Sequence, residues 1–282
     1  MRNNIIDLLI DKLTSEELQL VPRSYDIVGD IAVIRFPDGI QHKRHVIAEA
    51  LMKVHKNVKT VMEQVSPVEG KLRLRKLEHI LGEKKTWTRY REFGCIFEVD
   101  LSQVFFSPRL SYERMRIAEL VNNDEVCVNM FAGVGSYSVI LAKHSAVKRC
   151  YSIDVNPEAV RLMKRNIWLN RVEEKVVAML GDAKEVIRKE LQNVADRVLM
   201  PLPEKAFYYL DVAVSALKTS GGIIHYYDFT HETKSKESFL EIKNKVSSKL
   251  SELNVNQKII CSRIVRSIGP RWYQIALDIK IK

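Results

Sequence analysis

In the first 110 residues the spacing of apolar positions changes several times between helical spacing and the alternation of a strand. This is typical of a small α+β domain. Residues 1–20 have helical spacing and are predicted to form an N-terminal helical extension. The domain predicted over residues 21–110 then holds a pair of short strands, one helix and two further strand-like segments. Their ranges are 25–36, 45–55, 59–65 and 92–99.

Beyond residue 111 the pattern changes to short apolar runs that alternate with helical periods, as in an α/β domain. A predicted helix over residues 112–122 leads into the first of these runs. Apolar runs followed by helices are typical of buried parallel strands, so we predict five of them. They lie at residues 125–131, 149–153, 176–180, 197–200 and 222–227.

Two long strand-like runs, 258–268 and 272–281, end the sequence. The residues between them, Gly269-Pro270-Arg271, are too few for a helical crossover, so the two strands should pair antiparallel. A charged helix is predicted before them, at residues 234–252. We therefore predict a Rossmann-type sheet of five parallel strands plus a C-terminal antiparallel hairpin over residues 111–282. This ending is more typical of class I methyltransferases than of dehydrogenases.

The charge of the chain favours a polyanionic partner. It has 45 Lys and Arg against 35 Asp and Glu, a formal net charge of +10, which favours nucleic acid through neutralisation of phosphates. A merely basic enzyme is the alternative. No apolar run approaches the roughly 20 residues of a membrane span, and the first residues lack a signal-peptide pattern. The chain is therefore expected to be soluble and cytoplasmic, without a membrane partner.

The four cysteines are isolated in the sequence and form no C-x-x-C pair. They are Cys95, Cys127, Cys150 and Cys261. This spacing predicts neither a disulfide framework nor a zinc site, and no metal is expected.

Three markers predict a cofactor site at the ends of the parallel strands. The sequence Ala132-Gly133-Val134-Gly135 lies where the first strand gives way to a helix, and glycine lets the backbone approach a ligand. Asp154 ends the second strand, where it could accept bonds from ribose hydroxyls or, alternatively, cap a helix. Asp182 follows the third strand and could hold the amino group of an adenine.

Together these markers predict S-adenosylmethionine as the cofactor. The third glycine of the dinucleotide motif is missing, which disfavours NAD, although an NAD-dependent dehydrogenase stays the alternative from another class. The candidate cofactor contacts are Phe131, Gly133, Gly135, Asp154, Val155, Asp182 and Ala183.

Five motifs carry a resemblance to a known family. They are VFFSPRLSYER at 104–114, MFAGVG at 130–135, IDVNP at 153–157, DRVLMPLP at 196–203 and GGIIHYY at 221–227. From about residue 25 onwards the chain resembles the archaeal and eukaryotic tRNA (guanine-37-N1)-methyltransferases. Members often carry an additional N-terminal domain, which is expected to be absent here because only about twenty residues precede the shared region.

The resemblance implies methyl transfer from S-adenosylmethionine to N1 of guanosine 37 in the tRNA anticodon loop. That nitrogen carries a proton, and the ring oxygen gains charge as the proton leaves, so a base and a cation are needed. The resemblance places the base at Glu113 and the cation at Arg73. A surface carboxylate paired with an arginine is the alternative for Glu113, and phosphate contact is the alternative for Arg73. Arg109 is predicted to hold the methionine carboxylate, with a structural salt bridge as the alternative.

Two positions depart from the family pattern. Pro201 stands where the family usually has Asn near the target base, so backbone carbonyls are expected to replace that amide. Asn129 stands at a position that is usually acidic, which removes a charge near the cofactor without breaking the turn.

RNA contacts are predicted on basic segments with interleaved aromatic residues. Alternation over residues 71–76 predicts a shared face for Lys71, Arg73 and Arg75. The other candidates are Lys84, Lys85, Arg89, Arg91, Arg263, Arg266 and Arg271, with Trp87, Tyr90 and Trp272 for stacking or for packing. A monomer is expected.

Three related functions stay open at this point. Two are enzymes of the wybutosine pathway, which transfer an aminocarboxypropyl group or methylate a tricyclic derivative of the same nucleotide. The third is a catalytically silent tRNA-binding protein.

Overall fold

The computed structural model describes residues 4–231 and 237–282. Contacts between residues divide the chain into two compact units, Met1–Arg109 and Leu110–Lys282. The first is a small α+β unit and the second a larger α/β unit, which confirms the predicted fold class.

The described residues of the N-terminal unit form the following elements: α1 Ser15–Leu20, β1 Asp26–Val28, β2 Ile31–Ile34, α2 Arg44–Val54, β3 Thr60–Gln64, β4 Leu77–Gly82, β5 Trp87–Glu92 and β6 Cys95–Asp100. Four strands form a sheet with the order β1-β2-β3-β4. β2 and β3 are parallel, because α2 provides the crossover between them. β5 and β6 pair as a separate antiparallel hairpin.

Residues 4–20 do not form one continuous helix. A 3-10 turn at Ile6–Leu8 is followed by α1, which begins after a capping box formed by Thr14 and Glu17. The Thr14 hydroxyl accepts the Glu17 N–H at 3.2 Å, and the Glu17 carboxylate accepts the Thr14 N–H at 2.9 Å. The apolar spacing nevertheless marks side chains that pack in the core of this unit: Ile5, Leu9 and Leu13.

The alternation predicted for residues 71–76 is wrong. The segment begins as a turn, and Arg73 has a φ of 55°, in the left-handed region. A strand needs extended backbone at each position, so Lys71, Arg73 and Arg75 do not share a strand face. Arg75 instead donates to Gln64 at 3.1 Å, and burial lowers the pKa of its guanidinium.

The described residues of the C-terminal unit form the following elements: α3 Ser111–Leu120, β7 Val126–Asn129, α4 Ser136–His144, β8 Arg149–Asp154, α5 Pro157–Leu169, β9 Val176–Leu180, α6 Ala183–Glu190, β10 Arg197–Met200, α7 Pro203–Ala206, α8 Leu210–Ala216, β11 Gly222–His231, α9 Glu237–Glu252, β12 Gln257–Gly269 and β13 Trp272–Ile281. Residues 234–236 of the predicted charged helix lie outside the described residues.

The sheet of this unit has the order β12-β13-β11-β10-β7-β8-β9. The five strands from β11 to β9 are parallel, as predicted. The C-terminal hairpin is also confirmed, because β13 pairs antiparallel with both β11 and β12. β11 extends to His231, four residues beyond the prediction, since it pairs with β13 up to Trp272.

The core of the C-terminal unit lies between this sheet and its helices. Every residue of β10 is buried, which explains why the strand appears as a continuous run in the sequence. On α5 the apolar residues Val160, Met163 and Ile167, which recur at helical spacing, are buried. The carboxyl ends of the parallel strands meet at one edge of the sheet, where ligands of such folds bind.

The four cysteines are free thiols. Within residues 4–231 and 237–282, no group of three or more His, Cys, Asp or Glu side chains is arranged to hold a metal ion. In the same ranges, every helix is too short or too polar to span a bilayer.

Candidate active site

A glycine turn joins β7 to α4 at the carboxyl edge of the sheet. Gly133 has a φ of 55° and Gly135 a φ of 83°, a region that residues with a Cβ rarely adopt. A Cβ at Gly135 would lie 2.8 Å from Cγ of Met163, so the turn packs closely against α5. Both glycines of the predicted motif thus have conformations that glycine favours, and at Gly135 the contact with Met163 also leaves no room for a Cβ.

Asp154 ends β8 and holds this turn. Its Oδ2 accepts the N–H of Gly133 at 2.7 Å, and its Oδ1 accepts the N–H of Asn156 at 2.9 Å. Burial raises the pKa of the Asp154 carboxyl, although backbone hydrogen bonds oppose this. A carboxylate has about four acceptor positions, so capacity remains for a ligand hydroxyl. The side chain that caps α5 is Asn156, which accepts the Glu158 N–H at 3.0 Å.

Asp182 follows β9 and caps α6 by accepting the Lys184 N–H at 2.9 Å. The Tyr209 hydroxyl donates to both carboxylate oxygens, at 3.2 and 3.1 Å. Burial and the charge of Asp182 raise the pKa of Tyr209 to about 12, so the hydroxyl remains a donor at neutral pH. The Tyr209 ring packs edge-on against Phe131, with 5.2 Å between centroids.

Tyr209 was not predicted from the sequence. It lies in a 3-10 turn between α7 and α8, in a segment without a recognisable motif. The pair of rings beside a carboxylate, next to the glycine turn and Asp154, gives the mixture of apolar surface and few polar groups that suits a nucleoside. Two predicted contacts, Val155 and Ala183, directly follow the two aspartates.

Asn129 is fully buried at the end of β7. Its Nδ2 donates to Ser138 Oγ at 3.1 Å, and its Oδ1 accepts the Phe131 N–H at 3.4 Å. An ionised aspartate offers only acceptors, whereas the amide supplies the donor that this arrangement uses. The departure at this position therefore has a local structural explanation.

Glu113, the predicted base, lies on α3 and is 1% exposed. Its Oε1 accepts bonds from Arg116 Nη2 and from the Tyr227 hydroxyl, both at 2.7 Å. Its Oε2 accepts one bond from Arg116 Nε at 2.9 Å. The carboxylate is thus paired with an arginine but is buried, unlike the surface carboxylate of the alternative interpretation.

The strand register shows where this carboxylate lies. Tyr226 pairs with Met200, the last residue of β10, so Tyr227 is level with the position that follows, Pro201. Glu113 is therefore bonded to a side chain at the carboxyl edge. Pro201 is the central residue of a tight turn, in which the Leu202 N–H donates to the Met200 carbonyl at 2.7 Å. No amide side chain stands at this position, as the sequence predicted.

Two candidate residues belong to the N-terminal unit. The Arg73 guanidinium lies 4.2 Å from the centroid of the Phe105 ring, a cation–π contact. Arg109 donates from Nε to Asp26 at 2.6 Å and from Nη2 to Ser24 at 2.8 Å. This is a salt bridge of the kind considered as the alternative for Arg109, and its contact with a methionine carboxylate stays a prediction.

Several predicted RNA-binding side chains of the N-terminal unit lie on β5 or just before it. Trp87, Arg89 and Arg91 line a cavity of about 740 Å³. Trp87 is 57% exposed and accessible for stacking. Lys85 forms ion pairs with Asp30 and Glu83, and Arg89 with Glu98, so part of the positive charge is already neutralised within the protein.

The predicted contacts near the C-terminus lie on the hairpin of β12 and β13. Arg263 stands over the Tyr112 ring, 5.2 Å from its centroid. Arg266 donates to Gln274 at 2.8 Å, and the ring of Trp272 packs edge-on against His231 at 5.0 Å.

The fold and the strand-end site define the class of protein. Five parallel strands, an antiparallel C-terminal hairpin, a glycine turn and two strand-end aspartates together form the fold of a class I methyltransferase. Residues 88–255 match the family model of the TRM5/TYW2 methyltransferase domain, and residues 5–86 match that of the TYW2 N-terminal domain. The chain belongs to the TRM5/TYW2 methyltransferase family. This membership disfavours the dehydrogenase interpretation.

Three known proteins illustrate the similarity. The tRNA (guanine(37)-N(1))-methyltransferase Trm5b of Pyrococcus abyssi is 38% identical over 96% of this chain and 79% of its own length. The tRNA 4-demethylwyosine(37)-methyltransferase Taw21 of Saccharolobus solfataricus is 36% identical over 94% of this chain and 96% of its own length. The solved complex of aTrm5 with tRNALeu matches with a TM-score of 0.84 and 35% identity, covering 100% of this chain and 79% of that one.

Proposed function

We propose that the protein transfers a methyl group from S-adenosylmethionine to N1 of guanosine 37 in tRNA. The observation that carries the proposal is the near-full-length similarity to Trm5b, together with a buried carboxylate, Glu113, in the motif where the family resemblance places the base. The tRNA complex of the structural neighbour supports tRNA as the partner.

The residues at the carboxyl edge fit S-adenosylmethionine, which supplies the methyl group from its sulfonium when bound. Asp154 retains acceptor capacity for the ribose hydroxyls. Phe131 and Tyr209 provide ring surface for the adenine beside Asp182, whose carboxylate is shared with the Tyr209 hydroxyl. Gly133 and Gly135 keep the backbone of the turn free of side chains.

Within this proposal the protein's own residues handle the proton and the charge. Glu113 accepts the N1 proton of guanine, since a buried carboxylate whose bonds leave acceptor capacity can act as a general base. Arg73 stabilises the charge that develops on the ring oxygen. Pro201 replaces the usual amide, so the carbonyl groups of its turn take over contacts to the base. A cytoplasmic location and a monomeric state stay predictions.

The test is to incubate the protein with an unmodified tRNA transcript and S-adenosylmethionine, and to map the product nucleoside by mass spectrometry. We expect 1-methylguanosine at position 37. Glu113→Gln should keep cofactor and tRNA affinity but slow the single-turnover rate by roughly 100-fold or more, because the amide has no basic oxygen. Near-complete activity of this variant would exclude Glu113 as the base.

One observation favours a second candidate, methylation of a tricyclic derivative of the same nucleotide. The similarity to Taw21, at 36% identity, covers 96% of that protein's length. A carbon atom of a tricyclic base also loses a proton when it is methylated, so Glu113 suits either reaction. Parallel assays on transcripts that carry guanosine or 4-demethylwyosine at position 37 separate the two. Transfer only to the tricyclic base would replace the first proposal with the second.

A further inference from the structure

A chain of buried and partly buried polar side chains lies between α3 and the sheet of the C-terminal unit. We call it the Glu113 network. Its six members follow one another through hydrogen bonds and ion pairs: Glu113, Arg116, Asp278, His225, Arg197 and Glu125.

Strand register brings the middle of the network together. His225 on β11 and Asp278 on β13 are directly opposite one another, so their side chains lie on the same face. Asp278 Oδ1 bonds to His225 Nδ1 at 2.5 Å, and its Oδ2 accepts from Arg116 Nη1 at 2.6 Å. Both His225 and Asp278 are buried, at 0% and 4% exposure. Arg116 therefore bridges two carboxylates, Asp278 and Glu113.

The hydrogen bonds determine the tautomer and the protonation state of His225. Arg197 can only donate, so the His225 Nε2 that lies 2.7 Å from its Nη1 is an acceptor. The remaining ring hydrogen is then on Nδ1, where it is donated to Asp278. Burial lowers the pKa of His225 despite the carboxylate beside it, so the ring stays neutral.

The net charge beside Glu113 follows from the ionisation of Arg116 and Asp278. Burial opposes the charge of Arg116, but its bonds to Glu113 and Asp278 outweigh this and raise the pKa of the guanidinium. Burial would also raise the pKa of Asp278, but bonds from His225 and Arg116 lower it far below its usual range. One positive charge thus faces two negative charges, and the group formed by Glu113, Arg116 and Asp278 carries a net charge of −1.

The two oxygens of Glu113 differ in their bonding. Oε1 accepts from two donors, Arg116 Nη2 and the Tyr227 hydroxyl, which fills its two lone pairs. Among the described residues Oε2 accepts one hydrogen bond, from Arg116 Nε, and Arg263 Nη1 stands 4.0 Å away from it. Oε2 therefore has the capacity for one more proton.

We propose that Asp278 is a positioning residue for methyl transfer, which holds Arg116 between two carboxylates so that Glu113 Oε2 stays basic and correctly oriented. This inference rests on the proposed function. The N1–H bond of the base breaks, its proton bonds to Oε2, and the electron pair left on the ring forms the bond to the methyl carbon. The electron pair of the methyl–sulfur bond remains on sulfur.

Several other ionisable groups face Glu113 from the elements packed against it. They are Arg116 on its own helix, Tyr137 on α4, Tyr227 on β11 and Arg263 on β12, with Asp278 on β13 acting through Arg116. Burial raises the pKa of both tyrosines, so they keep their protons over the working range, and the arginines keep their charge. Replacing Asp278 with a neutral residue therefore changes one charge near Glu113.

The experiment measures the single-turnover rate against pH for Asp278→Asn at saturating cofactor and tRNA. Without the second carboxylate, the whole charge of Arg116 acts on Glu113, which makes it a weaker base. We expect a plateau at least ~10-fold lower, and a rise of the rate that is displaced towards lower pH. KM for tRNA should stay unchanged, and Asp278→Glu should restore part of both effects.

Asp196→Asn is the matched control. Asp196 pairs with Lys218 at 2.7 Å and lies immediately before β10, at the opposite edge of the sheet. It should lose an ion pair without moving the pH profile. A uniform loss of rate with an unmoved profile in Asp278→Asn, or an equal shift in the control, overturns the proposal.

The intact protein provides a second measurement if Asp278→Asn does not fold. Nitrogen-labelled histidine should show His225 neutral at neutral pH, with its hydrogen on Nδ1. A protonated His225 under these conditions would remove the net negative charge and refute the proposal. Failure of the proposed function is distinguishable, because it appears as the absence of 1-methylguanosine in the wild-type reaction.

Discussion

At the scale of single residues, Asp154 combines two tasks in one carboxylate. It accepts the N–H of Gly133 in the glycine turn, and in the proposed site it also accepts ribose hydroxyls. We expect Asp154→Asn to weaken S-adenosylmethionine binding by roughly 10- to 100-fold, because a hydrogen bond to a charged acceptor contributes about 1.5–3 kcal/mol. Isothermal calorimetry measures this. Unchanged affinity would show that the carboxylate does not contact the cofactor.

The raised pKa of Asp154 adds a pH dependence with a definite sign. As the pH falls through that pKa, at a value above the ordinary 3.8, the carboxyl gains a proton and cofactor affinity should decrease. The same protonation favours the folded state, because the folded protein then binds the proton more tightly than the unfolded chain does. Protonation of Asp154 itself therefore lowers affinity without destabilising the fold. Asp154→Asn should lack this step in a titration of affinity against pH.

At the scale of elements, Gly135 is required for both its conformation and its contacts. Gly135→Ala should destabilise the protein by about 2–3 kcal/mol, because the left-handed φ costs about 1–2 kcal/mol and the new Cβ would meet Met163 at 2.8 Å. Gly94→Ala is the matched control, since Gly94 has a φ of 71° and no atom within 4 Å of the added Cβ. Urea unfolding measures both. Equal losses for the two variants would show that Met163 moves aside freely.

Most helices and strands could be predicted from the sequence, because the burial of one side of an element leaves a local pattern of apolar positions. The β10 strand and the inward side of α5 appear as an apolar run and a helical period, and both are confirmed. The positive φ of Arg73 leaves no such signal, because residues other than glycine rarely adopt it. Gly70, whose carbonyl accepts the Arg73 N–H at 3.2 Å, is a local sign of a turn that the apolar alternation of residues 71–76 outweighed in the prediction. Phe93 and Gly94 also have positive φ values and form the turn of the β5–β6 hairpin. The predicted segment 92–99 therefore begins in this turn and corresponds to β6, whereas β5 was not predicted.

The candidate site was predictable only where its residues belong to contiguous motifs. Asp154, Asp182 and the glycines lie at strand ends that the apolar pattern marks. Tyr209 contacts Asp182 across 27 positions and Asp278 contacts His225 across 53, through strand register and packing. Only the folded chain brings such pairs together, and they determine how the motif residues are hydrogen-bonded.

At the scale of the whole molecule, a net charge of +10 does not identify which basic side chains contact RNA. A lysine held by carboxylates has its charge neutralised within the protein, whereas an unpaired one can neutralise a phosphate and release a counterion. Two adjacent residues, Lys84 and Lys85, differ in this respect. Lys85 lies 2.7 Å from Asp30 and 2.8 Å from Glu83, whereas Lys84 is exposed and forms no ion pair with any described residue.

These two lysines give a matched pair for tRNA binding. Lys84→Ala should weaken binding and reduce the slope of log affinity against log salt by about one, because one phosphate contact is lost. Lys85→Ala should leave that slope nearly unchanged and instead lower the melting temperature, since it leaves Asp30 without its cation partner. Filter binding between roughly 50 and 200 mM salt measures the slopes, and thermal unfolding measures stability. Equal slopes for both variants, or the larger change in Lys85→Ala, would contradict the view that internal ion pairs decide which basic residues of the β5–β6 region bind RNA.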